Sequence, residues 1–240
     1  MMNLASHITA LETLGLILPV AAAGPDSEFR FRHALLHDAA YGTMLRQDRR
    51  HLHQAVGEVL EREPSEVGGD LDPVLGRHFF EAGDLERASR YFGRAAASAG
   101  RKYAHAEALA YYSQAIEAAV AAAEKLAGRP DALAAGQRLA ALYRGRAQVH
   151  ELQGRFDEAR ADYDCAVEAA RAAGSQPDEW QALLGLALLW SQRDYERTGD
   201  YSRQALAVAQ QMGEPTLLAR SYNRLGNWHL NVLEPREAAD

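Results

Sequence analysis

Small residues recur along the second half of the chain with a period of about 40 residues, and this repeat restricts the fold more than any other feature. Ala147, Ala187 and Gly226 are spaced 40 and 39 residues apart, each with a large residue four positions before it and a ring three positions after it. Two helices of a hairpin can cross closely only where the intervening side chain is small. The repeat therefore predicts stacked helical hairpins, each of which buries its apolar face against the next.

The composition favours an all-α fold. Apolar residues make up 48% of the chain and charged residues 25%, which is typical of folded proteins. Alanine is frequent, and it has the lowest cost in a helix and lets helices approach each other. Residues 29–32 alternate apolar and basic side chains, a pattern that predicts a strand, and we expect residues 16–20 to pair with it as a hairpin.

These patterns predict two domains. Residues 1–63 read as a short helix, the hairpin and two helices, and residues 71–240 read as helical repeats of which the last is incomplete. Between them, residues 64–72 are rich in Gly, Pro and acidic side chains, which is typical of a boundary. Helices are predicted at 3–18, 74–82, 85–99, 103–126, 131–153, 156–173, 178–193, 201–212 and 216–233.

The repeated pattern resembles the tetratricopeptide repeat (TPR) over about residues 74–240, which implies a TPR-like α-solenoid. The period exceeds the usual 34 residues, and Thr198 and Gly199 stand where one second helix should carry alanine. The matches to the first helix of the repeat are Tyr222, Leu225, Gly226 and His229, and the matches to the second helix are Ala159, Tyr163 and Ala166, then Ala88, Phe92 and Ala95, then Ala108, Tyr112 and Ala115.

The N-terminal sequence FRFRHALLHDAAY, residues 29–41, resembles a stretch of large bacterial signalling ATPases and LuxR-type transcription activators. In those proteins it follows a P-loop NTPase module and a winged-helix-like segment, and it precedes TPR-like repeats. Some of them carry cyclase or kinase modules. The resemblance implies that this chain begins inside the winged-helix-like segment, lies downstream of an ATPase module, and is a fragment or a split gene product.

Charge and hydropathy disfavour several classes of protein. The net charge of −7 disfavours nucleic-acid binding, which requires a basic face. The densest basic cluster is in residues 1–64, where six Arg or Lys stand against eight Asp or Glu. Neither a secretion signal nor an apolar run long enough for a membrane is present, so we expect a cytoplasmic protein without a membrane contact. The basic cluster named above consists of Arg30, Arg32, Arg46, Arg49 and Arg50.

Motifs for catalysis and for cofactors are absent from the sequence. No phosphate-binding P-loop and no glycine-rich dinucleotide fingerprint occurs. His33 and His37 are four residues apart, but two ligands are too few for a zinc site. Cys165 stands alone, and its place on the inner face of a helix predicts a small buried residue. We therefore expect no enzyme activity, metal or cofactor in this chain, although a parent protein would carry an ATPase or cyclase module elsewhere.

The predicted function is binding in the concave groove that the first helices of such repeats line. Long amide and guanidinium side chains there can bond a peptide backbone or a carboxylate. We expect a protein or peptide partner, and the alternative is a sensor for a small-molecule inducer that controls a linked ATPase or regulator. Trp180, Trp190 and Trp228 are further candidates for a ligand groove, with Trp190 better placed for the core. The candidate groove residues are Arg144, Gln148, Gln181, Arg220, Asn223 and Asn227.

Overall fold

A computed structural model of the chain shows an all-α, TPR-like α-solenoid preceded by a small helical segment with one β-hairpin. The structure describes residues 4–20, 28–62, 71–126 and 132–237, with side chains up to residue 231. The chain forms two compact units, Met1–His53 and Gln54–Asp240. In chain order the elements are α1 Leu4–Thr13, β1 Ile17–Pro19, β2 Phe29–Phe31, α2 Ala34–Thr43, α3 Arg46–Arg62, α4 Asp72–Ala82, α5 Leu85–Arg101, α6 His105–Leu126, α7 Ala132–Leu152, α8 Phe156–Ala172, α9 Gln176–Trp190, α10 Tyr195–Met212 and α11 Pro215–Glu237.

The first unit contains the predicted hairpin. β1 and β2 pair antiparallel, with Ile17 opposite Phe31, and the backbone N–H of Arg32 donates to the carbonyl of Leu16 at 3.0 Å. The predicted helix 3–18 was too long. α1 ends at Thr13 because Gly15 adopts φ +65°, a left-handed conformation that ends helices and is favourable for glycine.

The division between the units lies inside α3, and the boundary at 64–72 stays a prediction. The C-terminal half of α3 belongs to the second unit because it packs on the repeats: a Cβ at Gly57 would lie 3.0 Å from the ring of Phe79. Glu58 and Glu61 of this half both form ion pairs with Arg87, at 3.7 and 3.2 Å. Residues 63–70, which hold most of the predicted boundary, lie outside the described residues.

Short turns make the helices of the second unit antiparallel neighbours. Gly83 ends α4 with φ +84°, and the Asp84 side chain accepts the backbone N–H of Arg87 at 3.1 Å, which starts α5 at once. Asp194 caps α10 in the same way, through the backbone N–H of Arg197 at 3.0 Å. This cap explains why α10 begins at Tyr195 rather than at the predicted residue 201.

The periodic small residues are buried in two of the three repeats. Ala147 and Ala187 are both 0% exposed, as helix-to-helix contact requires. Gly226 is exposed, and a Cβ built there would meet nothing within 4 Å. The prediction for Gly226 was therefore wrong, because no described helix follows α11 to cover this position.

Tyrosine rings pack against two glycines, Gly145 and Gly185, which stand two residues before the predicted alanines. A Cβ at Gly145 would lie 2.6 Å from the hydroxyl oxygen of Tyr112, and a Cβ at Gly185 would lie 2.6 Å from Cζ of Tyr163. Only a residue without a side chain leaves room for the ring at these points. α6 is thereby packed against α7, and α8 against α9.

The register of α5 differs from the predicted one. Its pattern of alanines around Phe92 predicted a second helix, yet α5 contacts α7 in the same way as α7 contacts α9. A Cβ at Gly93 would lie 2.9 Å from Leu142 on α7, and Arg138 of α7 pairs with Glu86 of α5 at 3.4 Å. α5 therefore lies on the side of the first helices. Its alanines are buried because helices pack on more than one of its faces.

Candidate functional site

A cavity of about 710 Å³ lies on the face formed by α7, α9 and α11. It contains five of the six residues predicted for the groove, namely Arg144, Gln148, Gln181, Arg220 and Asn223. Asn227 is outside the lining, one turn further along α11, where its amide donates to the Asn223 side chain at 3.2 Å. Whether these residues bind a partner stays a prediction. The remaining lining residues are Glu151, Tyr163, Trp180, Leu184, Gly185, Leu188, Ala219 and Arg224.

Helical spacing explains why these side chains share one face. Arg144, Gln148 and Glu151 are separated by four and three residues on α7, so they lie on one side of that helix. Ala147 and Val149, which flank this stripe on the same helix, are buried. The contact between α7 and α9 then places Gln181 of α9 on the same cavity. The groove is a consequence of first helices stacked in sequence.

Tyr163 of α8 lines the groove although α8 is not one of its three helices. Its ring packs against Gly185 of α9, where a side chain would take up the space. Its ring is 2% exposed, and its hydroxyl donates to Oε2 of Glu151 at 3.1 Å. Burial raises the pKa of Tyr163 above the ordinary value of a phenol, and the charge of Glu151 and this hydrogen bond raise it further. Tyr163 therefore stays protonated at neutral pH and serves as a neutral donor.

Trp180 forms the other fixed part of the floor. Its side chain is 2% exposed, and its indole N–H donates to the hydroxyl of Ser221 at 2.8 Å, which joins α9 to α11. The guanidinium of Arg220 lies over the indole ring, 5.0 Å from its centre. The ring is thus covered by protein and has no open face toward the cavity.

The cavity carries a positive excess in an acidic chain. Arg144, Arg220 and Arg224 line it together with one acid, Glu151, which already accepts the Tyr163 hydrogen bond. Arg87, by contrast, has three carboxylate partners. Among the described side chains, none of the three groove arginines forms an ion pair. The groove therefore presents unpaired guanidinium groups to whatever binds there.

A second cavity of about 370 Å³ adjoins the first, since Glu151 and Leu188 line both. Its large apolar side chains are Phe156, Leu188 and Leu189. Leu188 is 45% exposed, which is high for a leucine on a helix with so apolar a sequence. The two cavities are continuous, and the second adds the apolar side chains of Phe156 and Leu189 beside the polar ones of Gln192 and Arg193.

Sequence reasoning missed Arg224, Glu151 and Leu188. The signal for Arg224 and Glu151 was available, because they follow Arg220 and Gln148 by four and three residues on the same helix faces. Leu188 had no such signal, since an apolar residue on an apolar helix predicts burial. Its exposure depends on how α9 is rotated between its neighbours.

The other residues considered from the sequence have different environments. Cys165 is partly buried rather than fully buried, and burial raises the pKa of its thiol, so it is not activated as a nucleophile. Trp190 is partly exposed and packs edge-on against Phe156 at 4.8 Å between ring centres. Trp228 contacts α10, where a Cβ at Gly199 would lie 2.5 Å from its ring. This packing explains the departure from alanine at residue 199.

The histidines of the first unit show local contacts. Nδ1 of His37 lies 3.0 Å from a carboxylate oxygen of Asp38, and the hydroxyl of Tyr41 lies 2.9 Å from Nε2 of His53. Within the described ranges, no group of three or more His, Cys, Asp or Glu is arranged to hold a metal ion. The guanidinium of Arg49, one of the predicted basic cluster, lies over the ring of Tyr41.

No helix in the described part of the chain is both long enough and apolar enough to cross a membrane.

Comparisons with known proteins agree with the fold. The structure of BtubC (BKLC) from P. vanneervenii matches with a TM-score of 0.55 and 16% identity, over 87% of this chain and 88% of that one. Aspartyl phosphate phosphatase F from Bacillus subtilis matches with a TM-score of 0.52 and 15% identity, over 85% of this chain. The match spans about half of the phosphatase, 51% of its length. At these identities the likeness concerns the fold alone.

A third solved structure is less similar. The STAND signal-transduction ATPase with a tetratricopeptide repeat sensor from Pyrococcus horikoshii matches with a TM-score of 0.34 and 17% identity, over 76% of this chain and 31% of that one. A score this low carries no argument about a shared architecture. No family model matches the chain, and no curated protein matches its sequence.

Proposed function

We propose that the chain is a protein- or peptide-binding scaffold whose binding site is the groove lined by α7, α9 and α11. The observation that carries the proposal is the convergence of five predicted polar side chains on one cavity of about 710 Å³. Amide side chains such as Gln148, Gln181 and Asn223 can donate to and accept from a peptide backbone. A partner protein would insert a short segment along the groove.

The rigidity of the groove floor supports this function. Trp180 and Tyr163 are each 2% exposed and are held by hydrogen bonds to Ser221 and Glu151. A floor that is already ordered loses little conformational entropy when a partner binds, so more of the interaction free energy appears as affinity. The polar side chains above it, by contrast, stand at the surface and are free to adapt.

We further propose that the chain is the repeat region of a bacterial signal-transduction ATPase or transcription regulator, acts in the cytoplasm, and is not catalytic in itself. The order of the elements supports this context: a hairpin and two helices stand directly before the repeats, as in the proteins that residues 29–41 resemble. The coding sequence upstream of Met1 tests it. An in-frame P-loop is expected there, and an upstream sequence without one would contradict the ATPase context.

Filling the groove with a large side chain tests whether peptides bind there. Ala219 is an exposed residue of α11 that lines the cavity, so Ala219→Trp should occupy the groove without disturbing the core. Ala161 is exposed on α8 and outside the lining, so Ala161→Trp is the matched control. A phage-displayed random dodecapeptide library is selected on the full chain. The selected peptides should bind the wild type and the control but not Ala219→Trp.

Two results would overturn the proposal. The first is a library that yields no enriched peptides on the wild type. The second is a set of enriched peptides that bind Ala219→Trp as tightly as the wild type, since these would bind elsewhere. Circular dichroism of both tryptophan variants checks that each keeps the helical content of the wild type.

A small-molecule effector is the second candidate function, and the cavity size favours it. A volume of about 710 Å³ is within the range of about 300–1,000 Å³ that is usual for small-molecule sites. A thermal-shift screen of bacterial metabolites tests this alternative. A compound at about 100 times its Kd should stabilise the chain by about 2.7 kcal/mol. The same compound should leave Ala219→Trp unshifted, and a screen without any such compound would reject the alternative.

A further inference from the structure

We infer that the segment bound in the groove is acidic and carries a bulky apolar side chain beside its acidic residues. This inference rests on the proposed peptide-binding function and specifies the chemistry of the partner. Two independent observations carry it: unpaired arginines in the first cavity, and an exposed leucine, Leu188, at the junction with the adjoining one.

The arginines provide the first observation. Arg144, Arg220 and Arg224 line the first cavity, and none of them has a carboxylate partner within the described part of the chain. The one acid of the cavity, Glu151, accepts the hydroxyl of Tyr163. Glu or Asp side chains of a partner would supply the missing acceptors, through charge-assisted hydrogen bonds that are stronger than neutral ones.

Arg144 is the best-placed anchor among the three. Its Nε is buried and has no hydrogen-bond partner among the described groups. A buried donor without an acceptor costs free energy, and a ligand oxygen that reached it would recover that cost. The charge of Arg144 also acts on Tyr112 and Tyr163, lowering the pKa of both phenols against the larger effect of burial, which raises it.

The adjoining cavity provides the second observation. Leu188 stands at the junction of the two cavities with 45% of its surface exposed. Phe156 and Leu189 line the adjoining cavity and are partly buried, with the guanidinium of Arg193 4.1 Å from the centre of the Phe156 ring. A bulky apolar side chain of the partner, such as Leu or Phe, would cover Leu188 and gain about 25 cal/mol for each Å² of apolar surface removed from water.

The same surface fits an acidic peptide better than a nucleic acid. Binding of single strands depends on aromatic side chains whose faces are open for stacking on bases. The aromatic residues of the first cavity, Trp180 and Tyr163, are each 2% exposed, so neither has an open face. The net charge of −7 adds a repulsion for long polyanions that a short peptide experiences less.

The test is a fluorescence anisotropy titration of the full chain with labelled dodecapeptides. Each probe carries a cluster of Glu residues and one Leu in a Gly/Ser background, with the distance between cluster and Leu varied across the panel. In a matched panel Gln replaces every Glu, and in a second matched panel Ser replaces the Leu. A single-stranded DNA dodecamer with the same label is the competing polyanion.

Arginine variants assign the binding to the groove. Arg144→Gln removes the buried anchor, and the double variant Arg220→Gln and Arg224→Gln removes the other two charges. The matched control for charge is the double variant Arg90→Gln and Arg160→Gln. Arg90 and Arg160 each form an exposed pair within one helix, with Glu86 and Asp164, so their loss has little effect on stability.

The expected results are specific. The best Glu probe should bind the wild type about tenfold more tightly than its Gln counterpart, a difference of about 1.4 kcal/mol. Arg144→Gln and the groove double variant should each lose about tenfold, and the control should lose less than twofold. Replacing Leu by Ser in the probe should weaken binding to the wild type, and this effect should disappear in Leu188→Ser.

Several outcomes would overturn the inference. If Gln probes bind as tightly as Glu probes, peptide binding stands and its acidic specificity fails. If Glu probes bind the groove variants unchanged, the acidic site is elsewhere. If the DNA dodecamer binds more tightly than every Glu probe, the partner is a nucleic acid. If library-selected peptides bind while no designed probe does, the groove recognises another chemistry; if no peptide of either kind binds, the proposed function itself fails.

Discussion

Gly185 offers the most direct test of how the repeats are packed. A Cβ at this position would lie 2.6 Å from Cζ of Tyr163, where ordinary contacts begin at about 3.5 Å. The ring has little freedom to move, because it is 2% exposed and its hydroxyl is bonded to Glu151 at 3.1 Å. Gly185→Ala therefore forces either the Tyr163 side chain or the separation between α8 and α9 to change.

Two opposing contributions set the change in the free energy of unfolding that Gly185→Ala causes. Overpacking of a well-packed core costs roughly 1–3 kcal/mol, and the enclosed ring places Gly185→Ala near the upper limit. Replacing glycine by alanine within a helix contributes up to about 1 kcal/mol in the other direction. The expected net loss is about 2 kcal/mol in the free energy of unfolding, which corresponds to a fall in Tm of roughly 4–8 °C for a domain of this size.

Thermal and urea unfolding of the full chain, followed by circular dichroism, measure this effect. Gly226→Ala is the matched control, because Gly226 is also within a helix and a Cβ there would meet nothing within 4 Å. The control should gain roughly 0.5–1 kcal/mol. In a Tyr163→Ala background, which removes the ring, Gly185→Ala should no longer destabilise the chain.

The reasoning would be refuted if Gly185→Ala stabilised the chain as Gly226→Ala does. It would also be refuted if the cost of Gly185→Ala persisted after the ring of Tyr163 was removed, because the clash would then lie with another group. A coupling of about 2 kcal/mol or more between the two substitutions is the expected result of the double-mutant cycle.

Three further predictions concern the core of the second unit. Leucine in place of Ala147 or of Ala187, both 0% exposed, should cost roughly 1–3 kcal/mol each; melting curves unchanged in both variants would contradict the helix crossing. Ser221→Ala leaves the buried indole N–H of Trp180 without its acceptor and should cost about 1–3 kcal/mol, measured by urea unfolding; no loss would show that the bond is unimportant. Burial and a hydrogen bond to Glu61 raise the pKa of Tyr91 to about 12, whereas an unfolded tyrosine ionises near pH 10. The free energy of unfolding should therefore fall as the pH rises from about 10 to 12. Tm measured against pH should fall less in Tyr91→Phe than in the wild type, and an equal fall in both proteins would refute the assignment.

The charges of the groove also predict how its affinity for an acidic segment depends on salt. Binding of an acidic segment by Arg144, Arg220 and Arg224 should weaken as ionic strength rises, because exposed charges are screened over about 8–10 Å at ordinary salt. The contribution of Leu188, which is apolar, should change little with salt. Titrations at low and high salt therefore separate the basic part of the groove from its apolar part.

Local chemistry and periodicity were sufficient to predict the helices, the hairpin and the packing at Ala147 and Ala187. Alternation of apolar and basic residues in 29–32 identified β2, and the 40-residue spacing identified the hairpin repeat. These features depend on neighbours three or four residues away or on the nearest repeat, so the sequence of the segment contains the information. The same periodicity predicted five residues that line the groove.

Contacts between residues that are distant in the sequence decided the features that periodicity did not predict. The exposure of Gly226 depends on whether a further helix covers α11, and the side on which α5 lies depends on Gly93 meeting Leu142. The unpaired state of Arg144 and the exposure of Leu188 arise from how α7, α9 and α11 are rotated against one another. No pattern within a single helix specifies that rotation, because it is set by how rings and glycines from several helices fill the same space.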